Sequence, residues 1–224
     1  MRLAKALILA LSLVLVTPAG AAASTAKEVV SRATFAVDEF LHHLEPGDPM
    51  RVYVQNAFAV IVAPGMVRGG FILGFEHGFG AMMVRDTVGG RFGPPTFVEI
   101  FSGSLGIQAG GQLGDAIITV MNPAAVERLL AGDVRLGADA GLSVARVGVS
   151  LGAATTGNFS EDVYVFQRTA GLFGGMALNG GGIVPQNTMN RDYWGANAEP
   201  AQIVRNFDTF DDRSEDLRAK LLRF

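Results

Sequence analysis

Three histidines, no cysteine and a surplus of arginine over lysine bound the chemistry open to this 224-residue chain. His42 and His43 are adjacent, and His77 follows Glu76 in glycine-rich sequence. A His beside a Glu is a minimal acid–base pair. A metal site on these three histidines would have to draw its carboxylates from distant sequence, and they are read as surface or loop residues. Without cysteine, thiolate nucleophiles and disulfides are excluded. No Gly-rich segment ends in Gly-Lys-Ser/Thr, no segment has dinucleotide-binding spacing between a strand and a helix, and no nucleophile elbow occurs. The acidic residues Asp211, Asp212, Glu215 and Asp216 lack a ligand-spaced loop with a central glycine and read as a solvated helix face. The expectation is a protein that is not an enzyme, with no catalytic residue, metal or cofactor. Asn158-Phe159-Ser160 fits a glycosylation sequon and is read as chance.

Arginine offers a different chemistry. Beyond residue 23, lysine occurs only at 27 and 220, against fourteen arginines. Arg68, Arg85, Arg91, Arg168 and Arg191 fall near glycine-rich turns, where backbone N–H groups and a guanidinium together can hold a phosphate. These five are the expected anion or lipid-headgroup contacts. The alternative is ordinary surface arginine paired with Asp or Glu.

The elements that would position them lie in a block dominated by glycine. Of 29 glycines, all but Gly20 and Gly47 fall between Gly65 and Gly195. They are interleaved with Phe, Val, Ile, Leu and Met, which points to strands with bulges and close backbone approach rather than to a linker. Strands are expected at 58–62 (stopped by Pro64-Gly65), at 79–85, as two segments within 97–114, at 115–121, along 138–154 and twice within 163–184. An amphipathic helix is expected over Ser24–Glu45, capped by Ser24 or Thr25. A short helix is expected at 51–57, another at Pro123–Ala131 behind an Asn122 cap, a fourth at 200–206, and a charged helical tail over 207–224. The fold class is α+β: a mainly antiparallel curved sheet with N-terminal helices, one inserted helix and a C-terminal helix. Domain organisation reads as a signal at 1–23, one domain at 24–206 (helices 24–57, β-rich core 58–195) and the tail at 207–224.

Residues 1–23 read as a secretory signal. Arg2 and Lys5 precede the apolar run Ala6–Val16, which is too short to span a bilayer, and Ala21-Ala22-Ala23 supplies small residues for cleavage near Ser24. A lipoprotein anchor is excluded because there is no cysteine. A bacterial periplasmic address is expected. The net charge of −3 for the chain argues against nucleic acid as a partner, since a basic patch is its usual footprint.

Five segments taken in order, 62–74, 103–115, 121–137, 166–184 and 190–195, together resemble the SYLF-domain family of lipid-binding domains. VAPGMVRGGFILG (62–74) carries the proline-then-glycine segment with Pro64. GSLGIQAGGQLGD (103–115) resembles a glycine run with Gly106, Gly110 and Gly114. MNPAAVERLLAGDVRLG (121–137) resembles the helix capped by Asn122. FQRTAGLFGGMALNGGGIV (166–184) contains the hallmark Gly171-Leu172-Phe173. NRDYWG (190–195) contains Asn190, Tyr193 and Gly195. The chain departs from the family at Phe92-Gly93-Pro94-Pro95, at Phe166–Ala170 and at Ala177, where polar and basic residues are usual. The resemblance implies phospholipid-membrane binding, with phosphoinositides in eukaryotic members and actin in fungal ones.

The function expected is therefore a periplasmic, membrane-associating lipid-binding domain, with a phospholipid or membrane surface as partner. An envelope protein acting through a protein partner is the alternative. An outer-membrane β-barrel is a weaker one, because the last segment is charged and helical where a barrel would end on an alternating strand.

Overall fold

The computed structural model describes residues 25–70, 73–86, 90–105, 110–132, 134–136, 142–147, 159–169, 181–207, 209 and 211–224. Helix α1 (Ala26–His43) starts where Thr25 accepts a hydrogen bond from the Glu28 N–H at 3.2 Å. Its apolar stripe, Val29, Val30, Ala33, Val37 and Phe40, is fully buried, at the 3.6-residue spacing that puts side chains on one face. Helix α2 (Pro49–Asn56) follows, capped by Asp48.

Strand β1 (Ala59–Gly70) pairs on one side with β2 (Leu73–Val84) and on the other with β4 (Gly110–Val120), all antiparallel. β3 (Thr96–Leu105) flanks β2. Helix α3 (Pro123–Ala131) leads to β5 (Arg135–Leu136), then β6 (Val144–Val147), β7 (Val163–Thr169) and β8 (Gly181–Pro185). The sheet order is β5-β8-β3-β2-β1-β4-β7-β6; among the described pairs only β6–β7 is parallel. Helices α4 (Asn187–Trp194), α5 (Pro200–Ile203) and α6 (Asp212–Leu221) complete the described chain. The α+β class expected from sequence is the class observed.

β1 does not stop at Pro64-Gly65. It bulges there, with register shifts against both neighbours between Val62 and Val67. Gly65 takes φ +60°, and its N–H, lost to the ladder, donates to Asp115 Oδ1 at 2.8 Å. A buried N–H must be paired somewhere, so the carboxylate lets one strand run on where Pro-Gly would otherwise end it. The segments 97–114 and 115–121 likewise resolve into β3 and a single long β4. α4 has no counterpart among the expected helices. Of the strand expected at 138–154, only β6 lies within the described residues.

The sheet has a core on each face. Val60, Val62, Ala81, Met83, Phe97, Ile117, Tyr164 and Phe166 pack under α1 and α2, with Leu217, Leu221 and Phe224 closing over α1. Ile61, Met82, Ile100, Ile118, Val165 and Ile183 face α3. α6 is tied to α1 by the Lys220–Asp38 ion pair, and Gln55 on α2 donates to the Phe224 carbonyl oxygen at 2.8 Å. The tail therefore packs on the core. Glycine thins the α3 side: a Cβ on Gly80 would lie 2.7 Å from Ile61 Cγ2, and one on Gly78 would lie 2.3 Å from Met66 Sδ. No described helix is long and apolar enough to cross a membrane.

Candidate functional site

The C-terminal ends of β1, β3 and β7 and the N-terminal ends of β2, β4 and β8 all fall at one end of the sheet, where Gly70 pairs with Gly74 and Gly110 and Leu73 pairs with Leu105. Alternate residues of a strand face opposite ways, so each rung belongs to one face. Phe101, His77, Val67 and Leu113 are register partners on β3, β2, β1 and β4. They occupy the α1 face, on which Phe79, Ala81 and Met83 lie further along β2. At this end the face is open: Val67 is 44% exposed, Phe101 42%, Leu113 64% and Phe75, one rung further out, 52%. Strand spacing makes the row about 15 Å wide.

The opposite face is polar and closed. Ser102, Glu76 and Arg68 are register partners on β3, β2 and β1, with 5%, 2% and 8% of their surface exposed. Arg68 Nη2 donates to Glu76 Oε1 at 3.0 Å and to Gln167 Oε1 at 2.8 Å, and Gln167 Nε2 donates to the same Glu76 oxygen at 2.8 Å. Arg68 Nε and Ser102 Oγ have no hydrogen-bond partner among the described residues.

The five arginines expected to bind headgroups do not form one site. Arg68 is held in the buried trio. Arg168, on the opposite sheet face, pairs with Glu39 of α1 at 3.1 Å. Arg85 donates to the carbonyl oxygens of Val54, Ala57 and Gly90 and stacks 4.0 Å from the Phe92 ring centroid. It thereby closes the C-terminal end of α2, and burial pushes its guanidinium down from its ordinary value. Arg91 and Arg191 are exposed, near the Arg85–Phe92 bridge and the start of β3, at the other end of the sheet.

Sequence-adjacent Glu76 and His77 face opposite sides of β2. His77 Nε2 instead meets Glu99 Oε1 at 2.9 Å. No group of three or more potential metal ligands occurs among the described residues. Burial and the Asp211 carboxylate push the Tyr193 phenol up; its hydroxyl donates to Asp211 Oδ2 at 2.6 Å. Burial alone would raise the Asp211 carboxyl, but hydrogen bonds from Tyr193 and Ser214 outweigh it and hold that group below its ordinary value.

The motif residues have framework roles. Asn190 is fully buried; its Oδ1 accepts from Thr96 Oγ1 at 2.9 Å and Phe97 N at 2.8 Å. Asn122 caps α3 and donates from Nδ2 to Asp162 Oδ1 at 2.7 Å. Pro64 is buried in the β1 bulge, and Gly195 ends α4 at φ +107°. Gly110 and Gly114 lie on β4. Gly106, Gly171, Leu172 and Phe173 fall outside the described residues.

Sequence reasoning did not single out Val67, Phe75, Phe101 and Leu113. The signal was present as strict alternation in Phe75-Glu76-His77-Gly78-Phe79. By the usual rule it would have put the phenylalanines inside and the glutamate outside.

A family model described as Ysc84, Las17-binding protein actin regulator, matches residues 101–222. The chain is similar to SH3 domain-containing YSC84-like protein 1 of Xenopus laevis, 27% identical over 131 residues, or 58% of this chain and 39% of that protein. The Bos taurus protein of the same name is 22% identical over 198 residues, 87% of this chain and 58% of that one. Protein YSC84 of Saccharomyces cerevisiae is 25% identical over 143 residues, 62% of this chain and 30% of that protein. The chain thus spans less than two thirds of the length of each of these relatives. With more than half of its length matched by the family model, this chain belongs to the SYLF-domain (Ysc84) family.

Proposed function

We propose that the chain is an exported, periplasmic, non-enzymatic domain that binds phospholipid and associates with membranes. The observation that supports this most directly is the row of exposed apolar side chains, Val67, Phe101, Leu113 and Phe75, on an otherwise well-covered sheet. A soluble protein rarely leaves a contiguous apolar patch uncovered without a partner for it. The family's association with lipid binding and the signal-like residues 1–23 agree with it. The test is co-sedimentation of the protein, cleaved after Ala23, with phospholipid vesicles. Binding is expected; absence of binding to both zwitterionic and anionic vesicles removes the reading.

A second reading, action through a protein partner, draws on a different feature. The matching family is described by a protein ligand, Las17, and by actin regulation. Here a shallow cleft of about 180 Å³ lies among Pro94, Trp194, Gln202, Ile203 and Asn206, at the sheet end away from the apolar row. A pull-down from envelope extract in which Trp194→Ala loses a partner that the wild type retains would favour it.

A further inference from the structure

We propose that the chain meets the membrane through the open end of its sheet, and that this end enters the bilayer surface as folded β-structure, apolar face outward and polar rung inward. The proposal rests on the lipid-binding reading above and assigns the surface that performs it.

The polarity of the two faces carries the argument. Along the outer rungs of β1, β2 and β3, the residues turned to solvent are Val67, Phe75 and Phe101, and those turned inward are Arg68, Glu76 and Ser102. A half-buried sheet in water carries the reverse pattern. Apolar-out, polar-in alternation is the pattern of strands that face lipid. Entry also requires that backbone groups be satisfied without water. β1 and β2 meet this, since each is hydrogen-bonded on both sides out to Gly70 and Gly74.

Size and charge select the occupant. Four side chains are far fewer than the roughly 20–30 residues a side of a stable protein interface, so neither a second copy nor a folded partner is well served. From the Phe101–Leu113 rung outward, the described open face (Phe101, Gly103, His77, Phe75, Val67, Gly69, Leu113, Gly111) has no Asp, Glu, Lys or Arg. Its one titratable group, His77, is turned to Glu99. An uncharged face complements the apolar layer of a bilayer rather than an anionic headgroup plane, so attachment should depend little on salt or anionic lipid.

The single tryptophan, Trp194, lies at the far end of the sheet and serves as an internal control. The experiment uses the protein cleaved after Ala23 and its Phe75→Trp and Phe101→Trp variants, with vesicles of phosphatidylcholine, pure or mixed with phosphatidylglycerol, some carrying brominated acyl chains. Brominated lipid is expected to quench the introduced tryptophans and to leave Trp194 of the wild type unquenched. The bound fraction should change less than about twofold between low and physiological salt. Phe75→Ser with Phe101→Ser should weaken partitioning about tenfold or more with an unchanged thermal melt, whereas Leu222→Ser, just past the end of α6, should have no effect. Vesicle binding without quenching at 75 and 101, or binding that needs anionic lipid and collapses in salt, overturns the proposal while leaving lipid binding intact. Concentration-dependent dimerisation abolished by Phe75→Ser also overturns it, making the face a contact between copies. A wild type that binds no vesicle overturns the proposed function itself.

Discussion

Asn190 shows what a single buried side chain does in this fold. Its amide satisfies the Thr96 hydroxyl and the Phe97 N–H, and its Nδ2 reaches the Phe97 carbonyl at 3.3 Å. Both ends of the amide are used at the point where β3 begins, so α4 is fixed to that end of the sheet. Asn190→Ala strands two buried donors, each costing about 1–3 kcal/mol; a loss of about 2–6 kcal/mol is expected in urea denaturation. The Arg68–Glu76 pair obeys a different rule. Removing one partner of a buried ion pair costs about 3–5 kcal/mol, but replacing both with apolar groups is often close to neutral. Arg68→Met alone should therefore destabilise strongly, and Arg68→Met with Glu76→Leu should recover most of the loss. A double-mutant cycle measures the coupling; additive losses would mean that the pair is not a unit.

At the scale of elements, the β1 bulge decides how far the sheet extends. Pro-Gly is a strong turn signal, and from local sequence β1 ends at Val62. What carries it to Gly70 is Asp115, fifty residues later, whose carboxylate takes the Gly65 N–H. Gly65→Ala is expected to cost about 1–2 kcal/mol from the positive φ, while Asp115→Asn, which keeps an acceptor oxygen, should cost less than Asp115→Ala. Thermal melts of the three variants check the order. A bulge anchored from a distant strand leaves no local trace, so it was not legible. α3 was legible to the residue because all its determinants are local: the Asn122 cap, Pro123 at the first turn and Gly132 at φ +80°. α4 was not, because only Met189 and Asn190 are buried on it, too few to give an apolar period. The apolar row was half legible. Alternation fixes which residues share a face, but which face is covered depends on how far α1 extends over the sheet.

For the molecule as a whole, the contact of α4 with the start of α6 couples folding to pH in both directions. The Asp211 carboxyl caps α6 by accepting from Ser214 N at 2.8 Å and also holds the Tyr193 hydroxyl. Its folded-state value lies below the ordinary 3.8, so its contribution is present above 3.8 and is lost as pH falls through the depressed value. Asp162, held below 3.8 despite its burial by hydrogen bonds from Asn122 and Ser143, acts in the same direction at the α3–β6–β7 junction. Tyr193 is raised above its ordinary 10.0, so its contribution is present below 10.0 and is lost as pH rises through the raised value. Stability should be level between these limits and fall outside both. Tyr193→Phe tests the coupling because it alters both limbs at once. It removes one of the two raised phenols behind the alkaline loss, Tyr53 being the other, and it takes a hydrogen bond from Asp211, which moves the acid limb up toward 3.8. Urea midpoints measured across pH for wild type and Tyr193→Phe should diverge at both extremes, with the acid limb of the variant at the higher pH. Parallel curves would mean that the Tyr193–Asp211 contact adds nothing to the pH dependence and that α6 is held by its other contacts, Leu217, Leu221, Phe224 and the Lys220–Asp38 pair.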